Sequence, residues 1–377
     1  MTLVSSVASD QTAGGEGSKR RHLHQLDALR AVAVTVVICS HYLPRVQWFG
    51  FDPLGEGAAI GVRLFFALSG FLITGILLET RARIRAGEIQ PLGALARFYT
   101  RRLLRIFPLY FLVLGVCWVA GVAEVRQHPG AFVSFTYNFH LIRQGWFDAN
   151  LGHFWSLSVE QQFYLAWPCL VLFAPMWAIG PAASLGIVAA AAARAYYVQH
   201  DPSGMAFWVS TLASADVLGV GALVALAVRS PKASMLAERT LRPWVIGLAI
   251  LCVAAAPWWL RAIGTQLDPV PQLVRDAAEL AAVAGVLFGA AREFRGIGGA
   301  ALSWRPMRQI ATISYGLYVY HPLMLPIAGA VLAVLPGAAG WQDGWWRAAT
   351  ALLLSIAAAA VSWQLLEKPL NDLKRFL

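Results

Sequence analysis

LDALRAVAVTVVICSHYLP, residues 26–44, is an apolar run long enough to enter a membrane, yet it carries an arginine near one end and a histidine near the other. Arg30 and His41 stand eleven positions apart, and eleven helical steps of about 100° return to within about 20° of the starting face. Both side chains therefore look the same way, about 16 Å apart along the axis. Holding a charge at bilayer depth costs about 2.5 kcal/mol or more, so such a group needs a polar interior to face. In isolation Arg30 reads as an interfacial anchor and His41 as a satisfied core histidine near the outer boundary. The rest of the chain alters that reading.

The 377 residues are 58% hydrophobic and only 13% charged, with a mean hydropathy of +0.59. These statistics exclude a water-soluble domain. Windows long enough to cross about 30 Å of hydrocarbon lie near residues 26–43, 58–79, 103–122, 156–174, 178–197, 207–228, 242–260, 273–291, 309–334 and 345–366. The sequence thus predicts an all-α integral membrane protein with about ten transmembrane helices. Residues 1–25 lack the apolar core of a signal peptide and read as a disordered tail. The expected layout is a tail over 1–25, a membrane domain over 26–369 and a short tail over 370–377.

Basic residues crowd alternate loops: Lys19 to Arg21, Arg81 to Arg105, Arg229 to Arg242, Arg292 to Arg308, and Lys368 to Arg375. The positive-inside rule makes that side cytoplasmic and places both termini there. The net charge of +10 then reports topology, and no nucleic-acid partner is expected. Cys39, Cys117, Cys169 and Cys252 fall in apolar stretches without CxxC spacing, which indicates neither a disulfide framework nor a metal site. Two loops stand out by length, an Arg-rich cytoplasmic one near 80–102 and an aromatic external one near 123–155, including Trp146 and Phe147.

Ionisable groups recur inside the windows: Arg63 in the second, Glu160 in the fourth, Asp216 in the sixth, Arg275, Asp276 and Glu279 in the eighth, Tyr315 and His321 in the ninth. Plain anchoring does not call for so many. In FWSLSVEQQFYLAWP, residues 154–168, Glu160 is tolerable if it faces a polar cavity, with Gln161 and Gln162 beside it as hydrogen-bonding groups. A helix N-terminus would also favour a carboxylate there.

Together these motifs resemble the acyltransferase family 3 membrane proteins, which include O-acetyltransferases of bacterial polysaccharides and lipopolysaccharides and macrolide acyltransferases. The likeness spans residues 24–369 and rests on six blocks in order: the first stretch with its Arg and His, GVRLFFALSGFLITGIL, RFYTRRLLRIFPLYF, HFWSLSVEQQFYLAWP, ISYGLYVYHPLML and LLEKPL. It implies a multi-pass enzyme of the bacterial inner membrane that moves an acyl group, acetyl in the first instance, from cytoplasmic acyl-CoA to a hydroxyl of a glycan or lipid-linked glycan. Acyl-CoA is a substrate here and no cofactor is permanently bound. The alternatives are acylation of a small metabolite such as a macrolide, or a proton-coupled transporter. Membrane lipid is an expected partner, and a homodimer is left open.

Acyl transfer needs a base for the hydroxyl proton and donors for the oxyanion. His41 is the natural base, and Glu160, at similar depth, is the candidate to orient it or hold its proton. Arg102 and Arg105 share a helix face and suit the phosphates of CoA, with Arg30 as a third contact. Arg63, Trp155, Ser156, Gln162, Asp216, Tyr315 and His321 are expected as acceptor-site or structural polar groups. This chain departs from the family in carrying Arg63 where an acidic residue is usual, and Ser214 where arginine is frequent. The matching depths of Arg63 and Asp216 predict an ion pair between them, and with it partial rescue of either loss by reversing both charges.

Overall fold

The computed structural model describes residues 24–43, 57–145, 151–263, 269–334 and 344–376, and every regular element among them is helical. Most of the expected N-terminal tail, with Trp146 and Phe147 of the external loop, lies outside the described residues. In chain order the helices are α1 (His24–Tyr42), α2 (Gly57–Arg85), α3 (Pro91–Val119), α4 (Ala123–Gln127), α5 (Pro129–Val133) and α6 (Tyr137–Gln144). Next come α7 (Phe154–Phe173), α8 (Met176–His200), α9 (Met205–Val209), α10 (Ala215–Arg229), α11 (Pro231–Thr240) and α12 (Pro243–Ile263). The last are α13 (Pro269–Ala291), α14 (Gly296–Leu302), α15 (Arg305–Ala333), α16 (Trp345–Ser362) and α17 (Lys368–Asp372), with a π-turn over Trp363–Glu367 between the final two.

Among the described residues, five segments are long and apolar enough to cross a membrane: α2, α3, α8, α15, and α16 continued to Asp372. The bent pair α10 and α11, which turns by 118° at Ser230, would make a sixth. The chain is thus a multi-pass membrane protein; α1, α7, α12 and α13 coincide with the other four windows. Apolar side chains turned outward, such as Leu185 and Val188 on α8, are what lipid contact permits. The window at 207–228 is not one helix: α9 ends at Val209, and Ser210 Oγ accepts from Ala213 N (3.0 Å) before α10 begins. Serine competes in this way with helical hydrogen bonding.

The Arg-rich loop expected near 80–102 is mostly helix. TRARIR extends α2 to Arg85, where arginines suit the negative helix end, and Pro91 opens α3 at a position where its missing N–H costs nothing. Only 86–90 connect the two, and Gly87 turns there with φ +75°.

The chain divides into two compact units. One comprises residues 1–30, 63–81 and 164–308; the other comprises 31–62, 82–163 and 309–377. Within the first, α2 and α10 cross backbone to backbone. A Cβ on Gly70 would lie 2.1 Å from the Leu218 carbonyl oxygen, and one on Gly221 2.1 Å from that of Ala67. Small residues permit this approach where lipid offers no hydrophobic drive. Within the second, aromatic side chains of the segment that follows α3 stack on that helix: the Tyr110 ring lies 4.6 Å from Phe135 and 5.0 Å from Phe154, and Phe132 lies 4.2 Å from Tyr137. Tyr110 donates to the Phe132 carbonyl at 2.9 Å, and the Tyr137 hydroxyl to Glu124.

Candidate active site

The last turn of an α-helix leaves carbonyls without partners, and α1 uses one to orient its histidine. His41 Nδ1–H donates to the Val37 carbonyl at 2.8 Å, which leaves Nε2 unprotonated on an exposed ring. The next residue fixes the helix end. The buried Tyr42 hydroxyl lies 2.6 Å from both the His321 carbonyl and Ser355 Oγ. The single Tyr42 proton goes to the carbonyl, which can only accept, and Ser355 Oγ, which also lies 2.8 Å from the Ala351 carbonyl, closes the contact on the other side.

A second imidazole stands beside the first. His321 is 0% exposed on α15, its ring edge-on to His41 with centroids 5.1 Å apart. Pro322 has no N–H to offer the carbonyl four residues back, so Tyr318 O is left for His321 Nδ1–H, which binds it at 2.7 Å. A third ring, His153, lies 5.2 Å from His321 and donates Nε2–H to the Val319 carbonyl at 3.2 Å. Burial, with His321 and His41 nearby, holds His153 well below the usual imidazole range. Among the described residues no group of three His, Cys, Asp or Glu side chains is arranged to hold a metal ion.

The start of α7 supplies a polar wall. Ser156 donates to the His153 carbonyl at 2.9 Å, so its contact with the Tyr318 hydroxyl at 2.6 Å has Tyr318 as donor. Glu160 is half-buried and acts electrostatically on Tyr318 and Tyr315. The contact that orients the His41 ring within its own helix is to the Val37 carbonyl. Gln162 bonds the Phe135 carbonyl (2.8 Å) and Asn138 Oδ1 (2.9 Å), which ties α7 to the external segment. Trp155 is half-buried at the same helix start, and the Tyr315 hydroxyl donates to the Ile106 carbonyl on α3 at 2.8 Å.

On α3 the guanidiniums gather. Arg102 is buried with its CZ 5.4 Å from the Phe98 centroid, and Arg105 is half-buried, its charge felt by Glu367 and Tyr315. Lys374, just beyond α17, joins them. Burial and the charges of Arg105, Arg102 and Arg101 push its amine down to about 7, and Nζ donates to Asn371 Oδ1. Glu367 is 4% exposed and accepts from Ser362 at 3.0 Å. Arg30, counted in the other unit, pairs with Asp27 one turn earlier at 3.5 Å.

Arg63 and Asp216 are ion-paired at 2.9 Å, but within a larger buried network. Arg63 Nε also reaches Glu279 at 2.5 Å, while Arg194 bridges Asp216 (2.9 Å) and Asp276 (3.0 Å). The network joins α2, α8, α10 and α13, and Asp216 sits in the first turn of α10, where the helix dipole favours a carboxylate.

Sequence reasoning does not single out His153, Arg194, Glu367 or Lys374 as site residues. His153 heads the HFWSLSVEQQFYLAWP block and Glu367 lies in LLEKPL, so both fall within motifs that carry the family resemblance. Lys374 looks like any cytoplasmic anchor.

Comparison with known proteins supplies the remaining evidence. Residues 23–364 match the acyltransferase domain family. The chain is 28% identical over 380 residues to the peptidoglycan O-acetyltransferase OatA of Listeria monocytogenes, covering 93% of this chain and 56% of that protein. It is 26% identical over 400 residues to nodulation protein 10 of Rhizobium leguminosarum bv. viciae, covering 94% and 95% respectively. A further relative, the O-acetyltransferase OatA of Staphylococcus aureus, is 30% identical over 166 residues, covering 41% of this chain and 25% of that protein. The chain thus spans about half the length of the Listeria relative. No solved structure matches it. With a family match over nearly its whole length, the chain belongs to acyltransferase family 3.

Proposed function

We propose that the protein transfers an acyl group, acetyl in the first instance, from cytoplasmic acyl-CoA to a hydroxyl of a cell-envelope glycan at the bacterial inner membrane. The observation that carries this reading is the His41 ring, whose Nδ1–H is committed to Val37 and whose Nε2 is bare on an exposed face. That is the protonation pattern a general base needs. Nε2 takes the acceptor's hydroxyl proton as its oxygen attacks the thioester carbonyl. The C–S bond then breaks, and His41 returns the proton to the leaving sulfur, so CoA departs as the thiol. Arg102, Arg105 and Lys374 supply the cationic grip for the donor's phosphates. The glycan acceptor is suggested by the peptidoglycan O-acetyltransferase among the relatives.

The test is twofold. Purified protein in nanodiscs should consume the thioester of acetyl-CoA when given membranes from a strain lacking the gene. Mass spectrometry of envelope glycans should show an acetyl mass that disappears with the gene. A purified protein that consumes no thioester in the presence of those membranes would reject the reaction.

A further inference from the structure

Two imidazoles lie side by side in the candidate site, and the reaction above employs only one. We propose that His321 is the positioning residue of the transfer: its unshared Nε2 pair steadies the charge that His41 acquires while it holds the acceptor's proton. The inference rests on the acyl-transfer reading.

A backbone carbonyl can only accept, so the 2.7 Å contact to Tyr318 O places the proton of a neutral His321 on Nδ1. Pro322 makes that carbonyl available by lacking the N–H that would otherwise compete for it. The other nitrogen, Nε2, is buried and has no hydrogen-bond partner among the described residues. An orphaned buried polar atom is costly and calls for a reason. Anchoring α15 is not that reason, since the anchor uses Nδ1–H alone. The main chain at this position is already held by the Tyr42 hydroxyl at 2.6 Å.

Its placement supplies the reason. The His321 ring is edge-on to His41 at 5.1 Å between centroids and 67° between planes. Its other ring neighbours are His153 at 5.2 Å, Tyr318 at 5.6 Å and Tyr42 at 6.3 Å. His321 is 0% exposed, so a neutral imidazole with a bare nitrogen offers the neighbouring His41 a fixed dipole that needs no reorganisation when positive charge develops. His321 neither gains nor loses a proton in this scheme. The proton moves from the acceptor oxygen to His41 and on to the departing sulfur, as before.

Two substitutions separate the roles of the two nitrogens. In His321→Asn the amide nitrogen can replace Nδ1–H towards Tyr318 O, but nothing stands at Nε2. In His321→Gln the amide oxygen can reach the Nε2 position. Full-length variants are compared in inverted membrane vesicles of the host lacking the gene, with acetyl-CoA as the varied donor. The expected result for His321→Asn is a fall in kcat of about a hundredfold with the donor KM within about twofold of normal. His321→Gln should recover at least about tenfold of that loss. A near-normal kcat in His321→Asn, or a glutamine variant no better than the asparagine one, would overturn the proposal. Should the asparagine variant fail to accumulate in the membrane, His321→Gln is compared with His321→Leu under the same two outcomes. If wild-type protein consumes no acetyl-CoA, the acyl-transfer reading fails; if it is active and both polar variants match it, only the role of His321 fails.

Discussion

A histidine is useful as a base only when one nitrogen is occupied and the other is not, and at His41 the occupant is its own helix. The ring closes on Val37 O within the final turn of α1, so the base is prepared by four residues of local sequence. His41→Ala should therefore lower the transfer rate by about a hundredfold or more while the protein still inserts and folds. Initial rates of thioester loss, normalised to folded protein by size-exclusion profile, give the answer, and a near-normal rate would remove His41 from the mechanism. The spacing of Arg30 and His41 makes this residue legible in the sequence. His321 is visible there only as one more ionisable group, because its tautomer depends on what Pro322 does to a carbonyl one turn away. Glu160 is the residue expected to orient His41 or hold its proton, and the contact to Val37 O adds a local one that depth matching does not reveal.

At the scale of elements, depth matching finds Arg63 and Asp216 but not the helices on either side. Glu279 on α13 also pairs with Arg63, and Arg194 on α8 also pairs with Asp216. This alters the expected outcome of charge reversal. Arg63→Asp would set a carboxylate against Glu279, and Asp216→Arg would set a guanidinium against Arg194, so the double variant creates two like-charge contacts in place of two ion pairs. It should recover none of the loss. Removing one buried partner alone, as in Arg63→Ala, should destabilise the protein by about 3–5 kcal/mol. Thermal unfolding in detergent across the four proteins of the cycle and Arg63→Ala measures both, and a double variant more stable than either single one would mean that Arg63 and Asp216 act as an isolated pair. The same limit explains the loops. Composition marks 80–102 as charged, whereas its propensity for helix and the proline at 91 decide how it folds.

For the whole molecule, orientation and charge should act together. The charge asymmetry puts Gly87 and Ser230 inside and Gln127 outside. In a cysteine-free background, Gln127→Cys should react with an impermeant maleimide in intact cells, whereas Gly87→Cys and Ser230→Cys should react only after permeabilisation. Labelling of the Gly87 position in intact cells would reverse the orientation and remove the cytoplasmic donor site. That site should also respond to pH. The Lys374 amine sits near 7 instead of its ordinary 10.5, so it is charged below about 7 and loses its charge above. A phosphate donor prefers it charged, so the KM for acetyl-CoA should rise as pH climbs above about 7, and Lys374→Ala should flatten that rise. Stability takes the opposite course. Between about 7 and 10.5 the unfolded chain holds more protons at this position, so the penalty it imposes, full below 7, fades as pH rises through that window. KM against pH and melting temperature against pH are the two measurements.

One local irregularity governs how this terminus tolerates change. Ser362 and Glu367 are hydrogen-bonded although five positions apart, a separation that an ordinary α-helix would swing to different sides and that the wider π-turn brings together. The turn therefore works as slack in the screw, holding one surplus residue without rotating the helix beyond it. Loss of the exposed Leu365 would draw the slack in and leave Ser362 and Glu367 at the ordinary helical spacing, still facing each other, with transfer rate and melting temperature little changed. Loss of a residue from α16 itself has no such reserve to draw on: it would advance everything downstream by about 100°, carrying Glu367 out of phase with Arg105.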